Sequence, residues 1–228
     1  MNSNLLCFLF IALTISVWSC KRDDKSSTVN NGEPAKTTMD THSYARPAEA
    51  VINHLSLDVT ADFGTKKIAG TATYDITVHE GADSIILDSR DLDIQKVTVD
   101  GVETPFSLGS SKEWLGQPLA IPVTASSKKL VISYATRPGA EALQWLEPSQ
   151  TAGKKLPYLF TQGQAILTRT WIPIQDSPGI RLTYDAKVTV LSENADQAKK
   201  PLGRYSYLNW QKIEVKAGQT AEYIINNK

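Results

Sequence analysis

Residues 68–78 read IAGTATYDITV, and this stretch settles the class of fold. Tyr74, Ile76 and Val78 fall on one side of an extended chain, with Thr73, Asp75 and Thr77 on the other. Alternation at period two, carried by β-branched and aromatic residues, marks a strand with one buried face. Upstream, Ile52, His54, Leu55, Leu57 and Val59 begin a partly alternating run that ends in Asp62-Phe63-Gly64. Downstream, similar short runs are expected at Ser84–Asp88, Ile94–Val99, Glu103–Leu108, Leu119–Val123, Lys129–Ala135, Ile166–Trp171, Arg181–Val190, Tyr205–Val215 and Ala221–Ile225. Asp100-Gly101 between two of them is the two-residue signal of a tight hairpin. Lys216-Ala217-Gly218-Gln219 reads as a turn joining the last two strands. After the N-terminal apolar run, no segment keeps apolar residues at helical spacing for three turns. These patterns predict an all-β domain, an antiparallel β-sandwich or saddle.

Composition narrows the function. In 228 residues, 24 Lys plus Arg balance 24 Asp plus Glu, so there is no cationic excess to displace phosphate counterions. No nucleic-acid partner is expected. Both cysteines, Cys7 and Cys20, precede the β domain, and His42, His54 and His79 show no ligand-like spacing. A cysteine zinc site, a thiolate nucleophile and an imidazole cluster are therefore not expected in the body of the chain. No Gly-x-Ser-x-Gly elbow occurs, and nothing in the sequence signals that a histidine meets a serine. Asp88, Asp91 and Asp93 flank Arg90 in an acidic cluster. A solvated sheet edge or turn explains them better than a metal site.

The N-terminus reads as an address. Leu5–Trp18 is an apolar run of fourteen residues, short of the roughly 20 needed to span a bilayer. It fits the core of a secretory signal, although no positive residue precedes it. Val17-Trp18-Ser19-Cys20 resembles a bacterial lipobox, in which the cysteine is acylated and becomes the new N-terminus. Trp18 is bulkier than that pattern prefers, and a plain signal or an uncleaved anchor is the alternative. The expected organisation is a signal peptide at 1–19, a lipidated flexible spacer at 20–49 and one β domain at 50–228. The protein would then be an exported bacterial membrane lipoprotein, tethered through Cys20 and facing the periplasm or the cell surface.

Between Pro138 and Pro178 the sequence is dense in aromatic, Gln and Pro residues. Strand formation alone does not explain Ala142-Leu143-Gln144-Trp145-Leu146, Pro157-Tyr158-Leu159-Phe160, Gln162-Gly163-Gln164-Ala165 or Pro173-Ile174-Gln175-Asp176-Ser177-Pro178. With His54–Asp58, Gly70-Thr71-Ala72 and Leu87–Leu92, this ordered series resembles the N-terminal domain of M1 zinc aminopeptidases, in the leukotriene A4 hydrolase-like branch. The resemblance covers roughly Ala50 to Val190. It implies a saddle of strands over a catalytic domain, with Gln162, Gly163, Gln164 and Ala165 as the loop that helps hold a substrate's free amino terminus. A side-chain amide oxygen can accept a hydrogen bond from an ammonium group, so the assignment is chemically sound. The plainer alternative is that these glutamines only satisfy backbone groups in a crowded loop. Ile174 stands where the family usually has Cys. Arg169 is expected to pair with Asp176 or another carboxylate, and Asp176 to orient a turn, neither with a catalytic role.

What the family's chemistry needs is missing from these residues. The zinc ligands of that family begin with His-Glu-x-x-His, and no such motif occurs; His79-Glu80 is followed by Gly-Ala-Asp. The only methionines are Met1 and Met39, so the family's Gly-x-Met-Glu-Asn amine-binding loop is absent as well. No catalytic residue, metal ligand or cofactor is therefore expected in this chain, and zinc only in a missing or partner catalytic domain. The expected function is the substrate-pocket domain of an M1-type aminopeptidase, inactive by itself, whose partners are an M1 catalytic domain or chain and a peptide's N-terminus. Trp145, Tyr158, Phe160 and Trp171 are the expected docking patch, or else ordinary core. The alternative function is a stand-alone, lipid-anchored, non-enzymatic module binding peptides or glycans. An independent hydrolase is the least supported reading. After Val190 the resemblance fades, and the closing strands lead one to expect a self-contained domain, with a truncated or split peptidase as the alternative.

Overall fold

The computed structural model describes residues 40–155 and 157–190 in full, and the backbone of 209–212 and 221–227. The signal segment, Cys20, most of the spacer and the 216–219 turn lie outside the described residues.

The strands run in the order β1 (Ala50–Asp62), β2 (Lys67–Val78), β3 (Ser84–Ser89), β4 (Leu92–Val99), β5 (Val102–Glu103), β6 (Ser107–Leu108) and β7 (Gln117–Pro122). They continue with β8 (Lys129–Thr136), β9 (Leu143–Leu146), β10 (Tyr158–Thr161), β11 (Thr183–Val190), β12 (Asn209–Lys212) and β13 (Ala221–Asn227). An eight-stranded sheet is ordered β12-β13-β11-β1-β2-β8-β4-β5; β3-β7-β6 form a second sheet and β10-β9 a third. The fold is therefore all-β, as the alternation predicts. One pair departs from the antiparallel rule: β1 and β11 run parallel, from His54 opposite Thr183 to Ala61 opposite Val190.

Two bulges explain why the alternation in the sequence was only partial. In β1, Ile52 pairs with Ile76 and His54 with Asp75, so Asn53 is the extra residue. It reverses the pleat, which lets Ile52 and Leu55, three apart, both point into the core. Gln95 does the same in β4, between Ile94 opposite Tyr134 and Lys96 opposite Ser133, bringing Leu92 and Val97 to the buried face. The core is one cluster that joins Leu57, Val59, Tyr74, Val97, Leu130 and Ile132 of the large sheet to Ile85, Leu87, Leu119 and Ile121 of β3 and β7. Each fully buried aliphatic side chain of this kind contributes about 1.5–3 kcal/mol.

Other expectations meet local physics. Asp100 and Gly101 both have positive φ, 51° and 85°, and join Val99 to Val102 as the primed turn their sequence predicts. The Glu103–Leu108 strand is broken into β5 and β6, which belong to different sheets, at Pro105, which has no N–H for a ladder. Ile166–Trp171 is not a strand. Thr170 N–H donates to Leu167 O and Trp171 N–H to Thr168 O, making a 3-10 turn at Thr168–Thr170. The Thr170 hydroxyl also donates to Leu167 O, reinforcing the turn. Residues 40–49, assigned to the spacer by sequence, lie against the domain: Ser43 Oγ and Tyr44 N–H both donate to the Asp88 carboxylate, at 2.6 and 2.7 Å.

Candidate functional site

The glutamine loop follows a hairpin. In β9 and β10, Leu146 opposes Tyr158, Trp145 opposes Leu159, Gln144 opposes Phe160 and Leu143 opposes Thr161. Gln162 N–H donates to Ala142 O at 2.9 Å, which extends the ladder one step into the loop. The hairpin is fastened to the body in three ways. Trp145 meets the edge of Phe63 with centroids 5.0 Å apart, Lys66 Nζ pairs with Glu147 Oε1 at 2.7 Å, and Ala142 N–H donates to Thr170 Oγ1 at 3.1 Å.

The loop then turns sharply. Leu167 N–H donates to Gly163 O at 2.8 Å, and the Gln164–Ala165 peptide is cis. A Cβ on Gly163 would overlap the Thr168 hydroxyl, so glycine lets the loop lie directly on the 3-10 turn. Gln162, Gln164 and Ala165 are exposed and Gly163 is half-buried. Gln162 Nε2 stands 3.5 Å from Gln164 Oε1, at the outer limit of a hydrogen bond, so two side-chain amides lie next to each other at the surface. Gln162 Oε1 accepts no hydrogen bond from a described residue. The four residues assigned from sequence thus form one exposed turn. Neither Gln side chain satisfies the backbone of that turn.

Beneath the loop lies a buried ionic knot. The Arg169 side chain is fully buried. Its Nε donates to Asp176 Oδ2 at 3.2 Å, Nη1 to Leu115 O at 2.9 Å, and Nη2 to His42 O at 2.8 Å and Asp176 O at 3.0 Å. Nη1 also lies 3.4 Å from Asp88 Oδ1, and Asp88 is fully buried too. Asp88 accepts from Ser43 Oγ, Tyr44 N–H and Asp176 N–H. Burial pushes the Asp176 carboxyl above the usual aspartate range, and Asp88 adds to this, while Arg169 pulls the other way. The expected Arg169–Asp176 pair is present. Asp88 is not on a solvated edge as expected; it is the second carboxylate of the knot, whereas Asp91 and Asp93 are exposed.

Gln175 is equally structural. It is buried, takes Ile52 N–H on Oε1 at 3.0 Å and donates from Nε2 to Ala50 O at 2.9 Å. It thus replaces a missing strand partner at the start of β1. The Tyr74 hydroxyl donates to Pro173 O in the interior. Ser43, Asp88 and Gln175 complete this support, and the sequence around them does not mark them for it. Their signal was weak because each partner is more than forty residues away.

Of the expected docking aromatics, only Phe160 is exposed; Trp145 and Trp171 pack against the core, and Tyr158 stacks on Phe160 at 6.5 Å. The fold does bring a histidine to a serine, contrary to expectation. His54 Nε2 lies 3.3 Å from Ser56 Oγ and 2.8 Å from Asp185 Oδ2, and Ser56 Oγ donates to the same Oδ2 at 2.8 Å. A catalytic relay needs serine and carboxylate on opposite ring nitrogens. Here Nε2 faces both, and Nδ1 faces Thr183 Oγ1 at 2.7 Å. The cluster ties β1 to β11 and does not activate the serine.

The chain belongs to the peptidase M1 N-terminal domain family, whose profile matches residues 51–200. It is 37% identical over 155 residues to leucine aminopeptidase 2 of Yarrowia lipolytica, covering 67% of this chain and 23% of that protein. With leukotriene A4 hydrolase of Xenopus laevis it is 38% identical over 160 residues, 68% of this chain and 26% of the other. Native leukotriene A4 hydrolase from Saccharomyces cerevisiae superposes with a TM-score of 0.69 at 27% identity, over 86% of this chain and 30% of that one. The chain spans about a quarter of the length of the curated relatives it matches. Zinc in a protein wants three or four converging His, Cys, Asp or Glu donors. Among the described residues no three come together, and the sequence has no His-Glu-x-x-His. These residues do not make a zinc site.

Proposed function

We propose that this domain supplies the amine-recognising wall of the substrate pocket in an M1-type aminopeptidase, with Gln162 and Gln164 accepting hydrogen bonds from a peptide's N-terminal ammonium. The observation that carries the reading is the pair of exposed side-chain amides, 3.5 Å apart, on a turn seated over a buried ionic knot. Backbone bonds at Gln162 and Gly163 hold the turn, so only the two side chains have to be ordered when the ligand arrives. The zinc ion and the hydrolytic step belong to a catalytic domain outside these residues, and the chain by itself is inactive. Cys20 and the Leu5–Trp18 run support an exported, lipid-anchored placement; fatty-acid labelling that survives Cys20→Ala would refute it.

The test replaces the corresponding domain of the Xenopus leukotriene A4 hydrolase with residues 40–228 and follows hydrolysis of an amino-acid arylamide. The chimera is expected to turn over. Gln162→Leu together with Gln164→Leu should lower kcat/KM about tenfold or more, the scale of a hydrogen bond to a charged group. Unchanged kcat/KM in the double variant, or zinc-dependent hydrolysis by the 228-residue chain alone, would overturn the reading. A chain that binds peptides but gives no active chimera would favour a stand-alone binding module.

A further inference from the structure

We propose that the free edge of β10 is a strand-pairing site, on which an extended peptide lies antiparallel to Tyr158–Thr161 with its amino end at Gln162 and Gln164; this rests on the amine-recognition reading above. The ladder pattern carries the inference. Because Gln162 N–H bonds Ala142 O, the hydrogen-bonded pairs of this antiparallel hairpin are Ala142–Gln162, Gln144–Phe160 and Leu146–Tyr158. Leu159 and Thr161 occupy the intervening pairs, so their N–H and C=O groups point away from β9. No described residue bonds them. Leu143 N–H, on the opposite strand, points outward in the same way and is taken by Ala140 O.

The edge lacks the usual protection. Tyr158-Leu159-Phe160-Thr161 has no charge, no proline and no bulge, the devices that keep exposed edges from pairing. It also ends at the glutamine turn. A peptide whose ammonium sits on Gln162 and Gln164 therefore meets the outward groups of Thr161 and then Leu159 as it runs back along β10. Main-chain bonds of this kind recognise any sequence in extended form, and side-chain preference then comes from alternate positions. On one face of the strand those positions meet the stacked rings of Tyr158 and Phe160. The ligand class is an unblocked, extended oligopeptide of at least four residues.

The test uses the full chain and a hexapeptide of alanine and valine with a free amine, N-methylated at one backbone nitrogen at a time. Strand pairing predicts that one set of alternate positions loses affinity roughly three- to tenfold per methyl, the scale of one hydrogen bond, while the intervening positions do not. Thr161→Pro removes an outward donor that β9 does not use; it should weaken the parent peptide by a similar factor with thermal unfolding unchanged. Equal effects at all positions would overturn edge pairing. If acetylating the amine still abolished binding in that case, amine recognition would survive without it. No binding of the parent peptide would overturn both.

Discussion

Arg169→Met removes the guanidinium from the knot and keeps most of the side chain's length. The backbone N–H of residue 169 still reaches Asp176, but four side-chain hydrogen bonds disappear, along with the 3.4 Å approach to Asp88. The fully buried Asp88 and the mostly buried Asp176 are left without a cation, and Leu115 O loses its donor. Breaking a buried pair by deleting one partner costs about 3–5 kcal/mol, and the terms do not add, so a loss of about 4 kcal/mol is expected. Against a total stability on the order of 5–15 kcal/mol this is a large share. Urea unfolding measures it: at an m-value of about 2 kcal/mol/M the midpoint falls by about 2 M. Lys66→Met breaks the exposed pair with Glu147 and should cost less than about 1 kcal/mol. The deficit should also shrink as pH falls. Burial already raises the Asp176 carboxyl and Arg169 pulls it back, so without the arginine Asp176 binds its proton more tightly in the folded variant than in the unfolded chain, and protonating it recovers part of the loss. A loss under about 1 kcal/mol at pH 7, or a deficit independent of pH, would refute the claim that this knot holds the loop's foundation.

Gln175→Leu should cost about 2–4 kcal/mol, because Ile52 N–H and Ala50 O lose their buried partner; hydrogen exchange at the Ile52 amide should accelerate with it. Tyr134→Phe should leave the urea midpoint unchanged or raise it, since the buried Tyr134 hydroxyl has no hydrogen-bond partner among the described residues. In a carboxyl-carbon titration, Asp176 should protonate above the ordinary aspartate value and Asp40 below it. Burial raises the first; the Ser177 hydroxyl and the His42 N–H hold down the second. The signs are opposite. The Asp176 contribution declines as pH rises through the window between the ordinary and the raised value. The Asp40 contribution is present at neutral pH and is lost as pH falls through its lowered value.

The strands were legible because alternation is local: β2 and β8 follow it almost residue for residue. What the sequence concealed is non-local. Asn53 and Gln95 look like ordinary strand residues, and only the pairing shows that each is the extra residue of a bulge. Ile166–Trp171 has strand composition, but Arg169 must turn inward to reach Asp88 and Asp176, and a 3-10 turn does this where a strand would not. The exposed Gln162–Gln164 turn was legible only through its resemblance to a family; composition alone would have left those glutamines as loop residues. Asp88 was misplaced because a carboxylate among charged neighbours reads as solvated until its partners, Ser43 and Arg169, arrive from distant parts of the chain.

The central claim is that Gln162 and Gln164 read a peptide's free amine, and calorimetric titration of the full chain tests it most directly. One hexapeptide is titrated with its amine free and with it acetylated, against the wild type and against the double Gln→Leu variant. Acetylation should weaken binding at least about tenfold in the wild type, the scale of a lost hydrogen bond to charge, and make little difference in the variant. Equal binding of both peptides by the wild type, or an acetylation penalty that persists in the variant, would contradict it.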